Sequence, residues 1–98
     1  VDGYHTALAR WPDSLGARIG LGNSYYAFGN LASAEAAFSE ATRRFPTNGA
    51  AFNNLAQVLW ERGKKEDALQ AARRAVELGG PLMDVYRKTV QEIQAVSP

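Results

Sequence analysis

Apolar residues return along the chain at intervals of three and four, and the stretches that carry this period are separated by Gly, Asn and Pro. That is the pattern of amphipathic helices joined by short turns. It predicts helices over about 15–28, 31–44, 49–62, 65–78 and 82–95. Asp13 or Ser14 is placed to cap the first, Asn30 the second, and Thr47 or Asn48 the third. Gly29 and Gly63 stand where a helix end needs positive φ. Pro46 follows the second helix, and Gly79-Gly80-Pro81 stops the fourth. In the last segment Leu82, Val85, Tyr86, Val90 and Ile93 share one stripe, which is expected to be its buried face. Residues 1–11, ahead of Pro12, read as one more short helix. The expected fold is all-α, with about six helices.

The pattern also repeats at a longer step. Pro12 and Pro46 are 34 residues apart, as are Leu21 and Leu55, Gly29 and Gly63, Ala34 and Ala68, and Ala37 and Ala71. Ala7, Ala41 and Ala75 extend the same step to three members. The matches are mostly small residues or a turn glycine, the kinds that close helix packing requires. One local conflict stands against the helix over 15–28. It contains Gly16, Gly20 and Gly22, each costing roughly 0.8–1 kcal/mol relative to Ala. Gly22 has a packing reason, because its counterpart Ala56 is also small. Gly16 and Gly20 either mark close approach by another backbone or a ligand, or are tolerated because neighbours hold the helix.

Composition narrows the functional classes. A chain of 98 residues makes one domain, and 46% apolar with 21% charged residues is too apolar for disorder. The net charge of +1 argues against a dedicated nucleic-acid binder. The doublets Arg43-Arg44, Lys64-Lys65 and Arg73-Arg74 have carboxylates nearby and read as solvated faces; Glu40 and Arg44, for example, stand at i,i+4. The absence of cysteine excludes disulfides, thiolate catalysis and Cys-based zinc sites. A single histidine, His5, excludes a multi-histidine metal site. No apolar run reaches the roughly 20 residues of a membrane span, so a soluble protein is expected, its compartment open. The chain shows no signal peptide and starts at Val1, and it reads as a piece of a longer protein.

These residues resemble the tetratricopeptide repeat, a 34-residue helix-turn-helix unit. Counted from Leu15, the matching positions are Leu21, Gly22, Tyr25, Gly29, Ala34, Phe38, Ala41 and Pro46; Arg18 stands where the family has an aromatic. Counted from Gly49 they are Phe52, Leu55, Ala56, Leu59, Gly63, Ala68, Ala72 and Ala75, with Pro81 one place late. The resemblance implies a right-handed superhelix in one domain, 1–98. Residues 1–12 would be the second helix of a truncated repeat, 13–46 and 47–81 two complete repeats, and 82–98 a closing helix. Arg87, Lys88, Gln91, Glu92 and Gln94 would give that closing helix a polar outer face. A weaker similarity links the chain to the C-terminal repeat tail of some bacterial proteins whose front end is a cysteine-peptidase-like domain.

The family also implies where function would sit. The first helix of each repeat lines a concave groove. The residues it assigns there are Gly16, Ile19, Gly20, Asn23, Tyr26 and Ala27, then Ala50, Asn53, Asn54, Gln57, Trp60 and Glu61, and from the last helix Asp84, Arg87, Lys88 and Gln91. Asn and Gln side chains both donate and accept, so they can pair with the amides of an extended peptide. Tyr26 and Trp60 offer apolar contact area. The site is expected at Asn23, Tyr26, Asn53, Asn54, Gln57 and Trp60. Asn23 and Asn54 match two members of the family's carboxylate clamp, but Ile19 and Asp84 stand where it has lysines, which argues against that clamp.

No catalytic constellation is visible. Glu61, Glu66 and Asp67 sit among Arg62, Lys64 and Lys65 as turn residues, and the glycines near Gly20 and Gly22 follow no strand. The expectation is a non-catalytic module, with no cofactor or metal, that binds an extended peptide or a helix of a partner protein in its concave groove and neither nucleic acid nor membrane. The alternative is self-association through the N-terminal helix, which exposes Tyr4, Leu8 and Trp11, or a spacer attached to an upstream enzyme domain.

Overall fold

The computed structural model describes residues 15–95, which form five helices: α1 (Leu15–Ala27), α2 (Leu31–Arg44), α3 (Gly49–Glu61), α4 (Lys65–Leu78) and α5 (Met83–Ala95). The sequence-derived boundaries hold to within one residue. The helix expected over 1–11, with His5 and the capping positions Asp13 and Ser14, lies outside the described residues.

Two turns repeat at the 34-residue step. At the end of α1 the Gly29 amide donates to Tyr26 O (3.0 Å) and the Asn30 amide to Tyr25 O (2.9 Å). At the end of α3 the Gly63 amide donates to Trp60 O (3.0 Å) and the Lys64 amide to Leu59 O (2.9 Å). These paired bonds are the Schellman closure, which needs a left-handed residue at its bend. Gly29 has φ of 78° and Gly63 of 79°. The next helices are then started differently. The Ser33 amide donates to Asn30 Oδ1 (3.3 Å), and the Ala51 amide to Asn48 Oδ1 (2.9 Å), so Asn48 rather than Thr47 is the cap. Lys64 supplies no side-chain cap; Glu66 and Asp67 instead place negative charge at the positive end of α4.

Each helix packs on the next, and α3 also touches α5 directly. Small residues set the spacing: Ala34, Ala41, Ala51, Ala56, Ala68, Ala72 and Ala75 are fully buried. One core cluster joins Ala34, Phe38 and Val58, with Ile19, Tyr25, Leu31 and Leu55 packed on it. The other joins Ala56, Leu59, Ala68, Leu69, Ala71, Ala72 and Ile93, with Leu55, Trp60 and Val90 around it. Leu55 belongs to both margins and connects the repeats. Ion pairs add cross-links at the rim. Glu35 on α2 accepts from Arg62 Nη1 (2.9 Å) and Lys64 Nζ (3.1 Å), which follow α3. Glu40 takes Arg43 and Arg44 on its own helix and stands 3.9 Å from Arg18 of α1. Arg18, in place of the family's aromatic, thus faces a carboxylate across the helix pair.

Three details differ from the sequence reading or resolve it. The buried side of α5 is Tyr86, Thr89, Val90 and Ile93, whereas Leu82 and Val85 are about half exposed. Leu82 precedes the helix, and Val85 lies roughly 80° round from Ile93 at 100° per residue. Thr89 takes the inner place because its hydroxyl is satisfied locally, donating to Val85 O (3.2 Å). Gly22 is explained by Phe38: a Cβ there would fall 2.6 Å from Cδ1 of the ring. Gly16 is exposed with open space at its Cβ position, so it marks no close approach.

Candidate functional site

The odd-numbered helices share one face of the stack, and five of the six expected site residues meet there. Asn23 and Tyr26 come from α1, and Asn54, Gln57 and Trp60 from α3. The two helices are in the same register because both end in the same turn, so Tyr26 and Trp60 are turn-equivalent residues one repeat apart.

Two adjoining cavities lie on this face. A cavity of about 110 Å³ is lined by Asn23, Tyr26, Asn54 and Gln57, with Phe38 of α2 behind them. A cavity of about 220 Å³ is lined by Tyr26, Gln57, Trp60, Glu61, Thr89 and Glu92. Tyr26 and Gln57 belong to both and form the ridge between them. The first is an amide-lined niche; the second is an aromatic pocket with carboxylates at its edge. Trp60 does two things at once, because it also packs against the larger core cluster, which fixes the indole in place.

Asn53 is not brought to this surface. It is buried, at 6% exposure, and lines neither cavity; among the described residues its Oδ1 has no hydrogen-bond partner. Asn53 and Asn54 are adjacent on a helix, about 100° apart, so one turns inward where the other faces the groove. Ile19, at a position where the carboxylate clamp has a lysine, is half-buried against the first core cluster.

Glu61, Thr89 and Glu92 complete the larger cavity and were not among the expected site residues. By sequence Glu61 reads both as a groove position of the family and as one of several turn charges. The difference is geometric: Arg62 and Lys64 reach Glu35 on α2, while Glu61 meets Tyr26. The hydrogen bond to Glu61 raises the Tyr26 phenol above its ordinary 10.0, with burial and the Glu61 charge adding to the effect. By sequence Glu92 reads as part of a polar outer face. Its place three residues after the buried Thr89 puts it beside the cavity, and its other neighbour is Lys88 Nζ at 3.9 Å. Arg87 and Gln91, which the family pattern assigns to the groove, instead line a separate hollow of about 490 Å³ between α4 and α5, over Val76 and Val90; none of the six residues at which the site is expected lies there.

A stack of antiparallel helices with a repeated turn and a shared inner face defines a helical-repeat protein. The tetratricopeptide repeat family model matches the chain over residues 4–48 and again over 19–81, and the chain belongs to that family. Repeats of this family generally mediate protein–protein interaction and are typically non-catalytic. A search of the curated proteins returned no match. Among the described residues no helix is long and apolar enough to cross a membrane.

Proposed function

We propose that the face built by α1, α3 and α5 is a preformed groove that binds an extended segment of a partner protein, and that the chain carries no catalytic chemistry of its own. The observation that carries this reading is the pair of adjoining cavities sharing Tyr26 and Gln57. Asn23 and Gln57, one repeat apart, and Asn54, one turn before Gln57 on α3, offer amide donors and acceptors suited to a peptide backbone. Tyr26 and Trp60 supply the apolar grip, and the packing of Trp60 on the core means little side-chain freedom is lost on binding. Two repeats, closed by α5 (Met83–Ala95), form the single unit that holds this face.

The test is a comparison of two baits in a pull-down from the source cell's lysate: the chain itself and an Asn23→Ala/Asn54→Ala version of equal helicity. A partner held by the first and lost from the second supports the groove. Recovery of the same proteins by both, or of the chain alone, removes the groove and leaves self-association or a spacer role.

A further inference from the structure

Resting on the groove reading, we infer that the larger cavity is a pocket for a basic side chain, so that the partner segment presents a Lys or Arg to the Tyr26–Trp60–Glu61–Glu92 corner. Its size decides what kind of ligand part it takes. At about 220 Å³ it is below the roughly 300–1,000 Å³ of sites for independent small molecules. One long side chain of a bound peptide is the matching occupant.

The lining decides the charge. Two aromatic rings and two carboxylates surround the space. An aromatic face attracts a cation through its quadrupole, and more strongly where water is displaced. Carboxylates at the edge of the same space accept from an ammonium or guanidinium and repel an acidic group. The nearby positive charges do not fill this role. Arg62 and Lys64, next to Glu61 in sequence, are held by Glu35 on α2. Lys88 stands 3.9 Å from Glu92, with both side chains largely exposed, and such a pair is weak enough for an incoming cation to displace. Arg87 stands 4.0 Å from Asp84. Tyr26 and Glu61 line the same cavity, so a cation seated against the ring lies within reach of the Glu61 carboxylate.

The experiment uses a displayed library of random heptapeptides, selected on the whole chain. The expected result is a recurring Lys or Arg at one position of the retained peptides. Changing that residue to Gln in a retained peptide should weaken binding about tenfold, the scale of a desolvated cation on an aromatic face. On a Glu61→Gln/Glu92→Gln chain of unchanged helicity, the basic and Gln peptides should bind about equally. Tyr26→Leu, which alters no charge at a partly exposed position, should also narrow the difference. Retained peptides without a basic preference, still lost on Asn23→Ala/Asn54→Ala, would overturn the basic pocket and leave the groove standing. A basic preference that survives Glu61→Gln/Glu92→Gln would overturn it as well. If no peptide is retained above background, groove and pocket fall together.

Discussion

The Phe38 ring on α2 lies directly over the backbone of Gly22 on α1. A Cβ at Gly22 would sit 2.6 Å from Cδ1 and 2.8 Å from Cζ, inside contact distance. Phe38 is 1% exposed and packed with Ala34 and Val58, so shifting the ring toward the small niche it backs would give up that packing. Two effects oppose each other in Gly22→Ala. Helix propensity favours Ala by roughly 0.8–1 kcal/mol, and overpacking a closed core costs about 1–3 kcal/mol. The clash wins because relieving it costs that packing. Urea unfolding should show a net loss on the order of 1 kcal/mol, partly recovered by Phe38→Leu in the same chain. A more stable Gly22→Ala protein would contradict the packing described.

Gly16 provides the opposite case. Nothing lies within 4 Å of its Cβ position, so only propensity operates. Gly16→Ala should raise stability by up to about 1 kcal/mol, less if the first turn is weakly held. The sign reverses between two glycines of one helix, and thermal unfolding of the two variants side by side reads it.

Glu40 sets an acid-side dependence. Hydrogen bonds from Arg43 and then Arg44 hold its carboxyl down to about 2, from an ordinary 4.5. A depressed folded-state value means the contribution is fully present above the unfolded value and is lost as pH falls through the folded one. The difference in Tm between the natural chain and Glu40→Gln should therefore be constant above about pH 5, shrink below it and vanish near pH 2. The group is solvent-accessible, so the difference should be small and should shrink in salt. A difference that grows on acidification would contradict the assignment.

Asn53 separates stability from binding. Its buried Oδ1 lacks a partner among the described residues, and an unpaired buried acceptor costs about 1–3 kcal/mol. Asn53→Leu, which has the same branched skeleton and no polar atom to bury, should leave the chain at least as stable in urea. Because Asn53 lines neither cavity, the same variant should keep its ligand while Asn23→Ala/Asn54→Ala loses it. Loss of ligand in a well-folded Asn53→Leu chain would place the site deeper than the cavities do.

Turn chemistry and small residues were legible in the sequence because each has a local physical signature. Gly29 and Gly63, 34 residues apart, announced the two left-handed bends, and Asn30 with Asn48 or its neighbour announced the helix starts. The alanines announced close packing for the same reason. What depends on rotation about a helix axis was less legible. Asn53 and Asn54 have the same chemistry, and only their angular position separates a buried amide from a groove residue. Val85, expected inside, is half exposed while Thr89 is buried, because a threonine that bonds its own helix can be buried, which hydropathy does not register. Glu61 stands at a groove position of the family yet also reads as a turn charge, and Glu92 reads as an ordinary surface charge, because the cavity they edge exists only once α1, α3 and α5 are brought together.

The most direct test of the groove is amide chemical-shift mapping of the isotope-labelled chain, titrated with a heptapeptide retained in the selection. The account predicts that the largest shifts fall on Asn23, Tyr26, Asn54 and Gln57, on the side-chain amides of Asn23, Asn54 and Gln57, and on the Trp60 indole N–H. Small changes are predicted at Ser39, Asp67 and Gln70, which line a different hollow between α2 and α4. Largest shifts at those three residues, or at Val76 and Val90 between α4 and α5, would place the partner on another face and contradict the account.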